Sequence, residues 1–154
     1  MKIGTKRVLA AALGLLLGLS LTACGEKAPK EFDPETTPKA LMDAGAFSEE
    51  LEAVEKTVLL RLYEMDESKV AAAAGFGSTG LTAEEVAVFE MVDEAAAKEA
   101  EGMIKAHLEY QKESNVDYRP NEMPKLEKAV AERRGKTLLF LVAADYNAAK
   151  EALQ

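Results

Sequence analysis

The sequence predicts a small α+β domain: a mixed or antiparallel sheet of about three strands packed with four or five helices. Two kinds of pattern lead there. Apolar residues recur at spacings of three and four over Leu51, Val54, Val58, Leu59 and Leu62, and again after Asp93, which is the period of amphipathic helices. Thr137 to Ala144 (TLLFLVAA) is instead a continuous apolar run, suited to a strand buried on both faces. Proline, glycine and capping residues punctuate the segments between them. At 154 residues the chain fits one domain, placed at 38–154.

Taken in order, Gly25 to Lys39 is polar and carries Pro29, Pro34 and Pro38, so 24–37 reads as a tether. Thr37-Pro38 starts a helix and Gly45 stops it. A second helix covers Leu51 to Leu62. Ser68 to Gly80 is open between helix, by the propensity of Val70 to Ala74, and strand, by its flanking glycines. Val86 to Val92 reads as a buried strand, although Thr82 and Glu85 also match a capping box. Asp93 to Glu113 is the clearest helix. Ala96, Ala100, Met103, Ile104 and Leu108 share one face, and Glu94–Lys98 and Glu101–Lys105 pair on the other. Pro124 opens a further helix with Leu126 and Val130 facing inward. Gly135 breaks the chain, the Thr137 strand follows, and Asp145 caps a last helix through Leu153.

Composition excludes several chemistries. One Cys cannot close an internal disulfide, and with one His it cannot build a Cys/His zinc centre. Asp and Glu total 27 against 19 Lys and Arg, a net charge of −8, which argues against a nucleic-acid partner.

The first 23 residues read as an address. Lys2, Lys6 and Arg7 precede an apolar run from Val8 to Leu21, about 14 residues where a transmembrane helix needs about 20. It ends in Leu21-Thr22-Ala23-Cys24, which resembles the bacterial lipobox. The resemblance implies cleavage between Ala23 and Cys24 and lipidation of the Cys24 thiol with diacylglycerol and palmitate-like acyl chains. More than one chain gives stable anchoring. Cleavage removes 23 of the 154 residues and three positive charges, taking the net charge from −8 to −11. The expected location is the extracytoplasmic face of the cell membrane, with the acidic domain standing off anionic lipid.

The motifs inside the domain are mostly structural in reading. Gly75-Phe76-Gly77-Ser78-Thr79-Gly80 is a literal G-x-G-x-x-G, but Thr82 comes too late to cap the helix that pyrophosphate binding requires, so no nucleotide is expected. Gly135-Lys136-Thr137 is similar to the end of a P-loop, yet position 130 is Val rather than Gly. Ser78 lacks the glycine two residues before it that a nucleophile elbow needs, and His107 would have to be its base. His107 projects from the apolar stripe, so packing is favoured over catalysis. The carboxylate clusters, Glu49-Glu50-Glu52 and Glu84-Glu85 among them, read as solvated faces, with no metal and no cofactor implied. Tyr118 and Arg119 put an aromatic and a guanidinium side by side on a loop, which makes them the candidate binding residues.

From about Pro38 to Ala152 the chain resembles a lipoprotein family numbered 4358 among domains of unknown function. The matching residues are Ala44-Gly45-Ala46-Phe47, Thr82 to Phe89 (TAEEVAVF), Tyr118-Arg119-Pro120 with Glu122, and Lys125 to Ala129. Gly135, the apolar strand after it and Asp145 continue the match. The resemblance implies a small extracytoplasmic α+β domain and carries no catalytic residue over. The chain departs from the family pattern at Val70 to Ala74, where β-branched or aromatic residues are expected. Together these readings lead to a lipid-anchored binding or accessory module with an envelope protein partner. The alternative is an envelope hydrolase using Ser78 or a carboxylate with His107.

Overall fold

The computed structural model describes residues 29–154. The signal segment, Ala23 and Cys24 lie outside the described residues. Five antiparallel strands form one open sheet: β1 (Glu52–Val54), β2 (Val70–Gly77), β3 (Glu85–Met91), β4 (Val130–Arg134) and β5 (Thr137–Val142), in the order β1-β2-β3-β5-β4. The helices are α1 (Thr37–Asp43), α2 (Lys56–Leu62), α3 (Glu94–Val116), α4 (Met123–Leu126) and α5 (Tyr146–Ala152). The α+β class and the five helices agree with the sequence; the sheet has five strands rather than about three.

Strand alternation divides the core into two layers. Ala87, Phe89 and Met91 of β3, with Leu138, Phe140 and Val142 of β5, pack under α2, α3 and α4. Val86 and Val88, with Leu139 and Leu141, face the other way, against Leu41 of α1 and Ala149 of α5. Helices on both faces explain why β3 and β5 read as unbroken apolar runs despite being antiparallel. Both strands sit in the middle of the sheet, with no solvated side.

The two extra strands correct the sequence reading at the same kind of place. Leu51 belongs to one core layer, whereas Leu59, Leu60 and Tyr63 belong to the other. One straight helix cannot present neighbouring residues to opposite faces of a sheet, so the chain crosses the edge as β1. The helix starts only after Glu55, whose ψ of 139° is extended. Leu126 and Val130 are split in the same way, so the expected helix from Pro124 ends after one turn and Val130 pairs with Leu141 in β4. Gly135, at φ +56°, turns β4 into β5. Val70 to Gly77 is a strand, as the glycines suggested. Its small residues have a reason: a Cβ on Gly75 would lie 2.5 Å from Leu59 Cδ1.

Asp145 caps the last helix as read, and Asp93 caps α3 in the same way. Asp93 accepts from Ala96 N, and Asp145 accepts from Asn147 N and Ala148 N. In the expected tether, however, Phe32 is buried in the α1–α5 layer. Its N–H donates to Thr137 Oγ1 at 2.9 Å, and the Arg134 guanidinium lies 4.2 Å from its ring centroid. The packed body therefore begins at Phe32, upstream of Pro38.

Candidate functional site

The polar side chains of interest gather at one end of the sheet, where β2 turns into β3 and α3 ends. Register puts Glu85, the first residue of β3, beside Tyr63 at the end of α2 and His107 in mid-α3. The Tyr63 hydroxyl donates to Glu85 Oε1 at 2.6 Å. On the other carboxylate oxygen, His107 Nε2 sits at 3.1 Å and Gln111 Nε2 donates at 3.0 Å. The His107 ring stacks on Tyr63 with centroids 3.9 Å apart, and Phe140 meets both rings edge-on. Burial, reinforced by the Glu85 charge, pushes the Tyr63 phenol well above its usual 10.0.

His107 is 6% exposed and lines two adjoining clefts. The larger, about 420 Å³, lies between α2 and α3 against Tyr63, Met103 and Tyr110. The smaller, about 230 Å³, reaches Ser78, Gln111 and Arg119. Packing is thus the main state of His107, as the apolar stripe implied. It is also joined to a carboxylate, which the sequence did not reveal.

Ser78 is used differently. Its hydroxyl donates to Glu49 Oε1 at 2.6 Å and accepts from Thr82 N at 3.0 Å and Gly80 N at 3.2 Å, organising the β2–β3 turn. Thr82 donates to the same Glu49 oxygen at 2.6 Å. These hydroxyls hold the Glu49 carboxyl below its usual 4.5, the Ser78 bond contributing most. Among the described residues no hydrogen bond joins Ser78 to His107. Of the glycines in the G-x-G-x-x-G run, Gly75 and Gly77 lie in β2 and Gly80 takes φ +109° in the turn. An antiparallel hairpin offers no helix N-terminus to a phosphate.

The Glu84-Glu85 pair is not a solvated face, which corrects the sequence reading. Glu84 is 1% exposed. It accepts from Ser48 N at 2.8 Å, from the Ser48 hydroxyl and from Lys125 Nζ at 2.7 Å. Burial alone would lower the Lys125 ammonium. Its bonds to Glu84 and Glu122 outweigh that, and the net effect raises it above 10.5. Glu122 also accepts from Ala83 N at 2.9 Å, so both sides of the turn's last residues are tied down.

Tyr118 and Arg119 part company. The Arg119 guanidinium donates to Thr82 O at 2.6 Å, Gly80 O at 3.0 Å and Asn115 Oδ1 at 2.7 Å. It therefore clamps the backbone either side of Leu81. Tyr118 stays open at 82% exposure, with Arg119 Cζ 5.9 Å from its ring centroid, and Leu81 is 77% exposed. Leu81 was missed in the sequence. Its signal, a lone apolar residue between Gly80 and Thr82 in a polar turn, carries no period.

Among the described residues no group of three His, Cys, Asp or Glu is placed to hold a metal ion, and no helix is long and apolar enough to cross a membrane. The fold and site thus define a small open-sheet α+β domain with a buttressed polar end. Residues 43–143, about two thirds of the chain, match the family described as a domain of unknown function (DUF4358), and the chain belongs to that family. No curated protein and no solved structure matches it.

Proposed function

We propose that the protein is a lipid-anchored, extracytoplasmic binding or accessory module of the cell envelope. Its contact surface is the end of the sheet bearing Leu81 and Tyr118. The observation that carries the binding reading is the pairing of two exposed apolar side chains with a backbone already fixed beneath them. Arg119 bonds both carbonyls flanking Leu81, and Ser78, Thr82 and Glu49 fix the rest of the turn. A surface ordered before contact loses little conformational entropy on binding. The anchor reading is supported by Lys2, Lys6 and Arg7, the short apolar run and Leu21-Thr22-Ala23-Cys24.

The anchor is tested by feeding cells a tagged fatty acid. Label on the wild type and none on Cys24→Ala is the expected outcome, and equal labelling of the two refutes it. The contact surface is tested by cross-linking in intact cells. Tyr118→Ala should lose the adducts that the wild type forms, while an unchanged pattern removes this surface from the proposal.

One observation favours a second reading, a hydrolase built on Glu85 and His107: the 3.1 Å contact at the junction of two clefts. Against it, three donors already occupy the Glu85 carboxylate and Tyr63 covers a face of the imidazole. Hydrolysis of envelope-derived ester or amide substrates by the wild type and its loss in His107→Gln would establish this reading.

A further inference from the structure

The chain enters the domain at the end of the sheet opposite to Leu81 and Tyr118. Phe32 bonds Thr137, Glu31 Oε1 accepts from Lys136 N at 2.8 Å, and Arg134 donates to Lys30 O at 3.3 Å. Thr137 pairs with Glu90, whereas Val142 at the far end of β5 pairs with Glu85, next to the β2–β3 turn. Five strand residues at roughly 3.4 Å each separate the two ends by about 17 Å, before the turn adds its own height. Helix α5 runs back along this axis, so its C-terminal part lies with the incoming chain: Arg134 reaches Leu153 O at 3.3 Å. Six residues from Cys24 to Lys30 span at most about 21 Å at roughly 3.5 Å per residue. A tether that short, pinned at Phe32, holds the end of the sheet at Lys30 and Leu153 towards the bilayer.

The outer end is also acidic. Around this turn Glu49, Glu84, Glu122 and the exposed Asp117 outnumber Arg119 and Lys125. Anionic headgroups repel such a rim, and a basic protein surface attracts it. We infer that Leu81 and Tyr118 face away from the membrane and dock into an apolar pocket, rimmed by Lys and Arg, on an envelope protein. This rests on the anchored binding-module reading and adds to it a direction and a partner chemistry.

The test uses the full lipidated chain floated on vesicles of phosphatidylcholine and phosphatidylglycerol. Lipidated Cys24 has no free thiol, so Leu81→Cys or Lys150→Cys introduces the one labelling site. With an energy-transfer acceptor in the bilayer, a donor at residue 150, on the helix that runs back towards the incoming chain, should transfer more than one at 81. Equal transfer, or more from 81, overturns the orientation and places the apolar pair against lipid. Failure to float overturns the anchored reading itself, an outcome separate from the transfer ratio. In intact cells, a photo-cross-linker at 81 should give a discrete protein adduct that one at 150 does not. Asp117→Lys should reduce that adduct about tenfold, as for an interface charge near a hot spot. An adduct undiminished by Asp117→Lys, or no adduct at 81, overturns the basic-rimmed partner.

Discussion

At the scale of single residues, the Glu85 carboxylate is the hub of the buried polar cluster, and its donors differ in what they lend. Tyr63 gives a neutral donor held against ionisation by burial and by the Glu85 charge. A folded-state value raised above 10.0 contributes stability that is complete below pH 10 and is lost as pH climbs through the higher folded value. Alkaline unfolding should therefore coincide with the late ionisation of Tyr63 followed by ultraviolet absorbance, and Tyr63→Phe should flatten the stability–pH slope above pH 10. Glu49 has the opposite sign. Its value is lowered from 4.5, so its hold on the turn persists above pH 4.5 and fades as pH falls through the lower folded value. Amide-exchange protection at Gly80 and Thr82 should fall over that acidic range, and Glu49→Gln should show the lower protection already at neutral pH. His107 was legible as a packing residue because its neighbours on the helix are apolar. Its partner Glu85 was not legible, since a carboxylate at the start of a strand has the same signature as one in a capping box.

At the scale of elements, legibility followed the number of buried faces. β5, buried on both sides, was plain in TLLFLVAA, and α3 was plain because a long helix with one wet face repeats its period many times. β1 and β4 were hidden because the chain changes core layer there, between Leu51 and Leu59 and between Leu126 and Val130. Apolar spacing along the chain does not reveal such a change of side. The alanines of β2 left it open between helix and strand, and its Gly75 has a packing reason: α2 lies so close that Leu59 occupies the space a side chain there would need. Gly75→Ala should cost about 1–3 kcal/mol, the range for overpacking a filled core, measured by urea unfolding. Leu59→Ala should cost less in the Gly75→Ala background than in the wild type, since the pair shares one volume. Tyr118 was legible as an exposed aromatic, while the role of Arg119 as a clamp depended on a turn 37 residues away in the chain.

At the scale of the whole molecule, Phe32 joins the incoming chain to the sheet. It fills the layer between α1 and α5, backed by Arg134. Phe32→Ala should lower unfolding stability by about 3–5 kcal/mol, as for other buried aromatic truncations, and the urea midpoint should fall accordingly. The loss should appear in the global transition, because the same layer contains Val86, Val88, Leu139 and Leu141 from the two central strands.

The strand order has a temporal consequence. β3 is complete at Met91, but its inner neighbour β5 starts only at Thr137, so the middle of the sheet joins segments far apart in the chain. Until the last hairpin emerges, β3 has an open edge and neither core layer can close. Pairings of such long range form slowly. A nascent chain of this design stays unfolded until nearly all of it has been made, the form in which a polypeptide can still be threaded through a narrow channel.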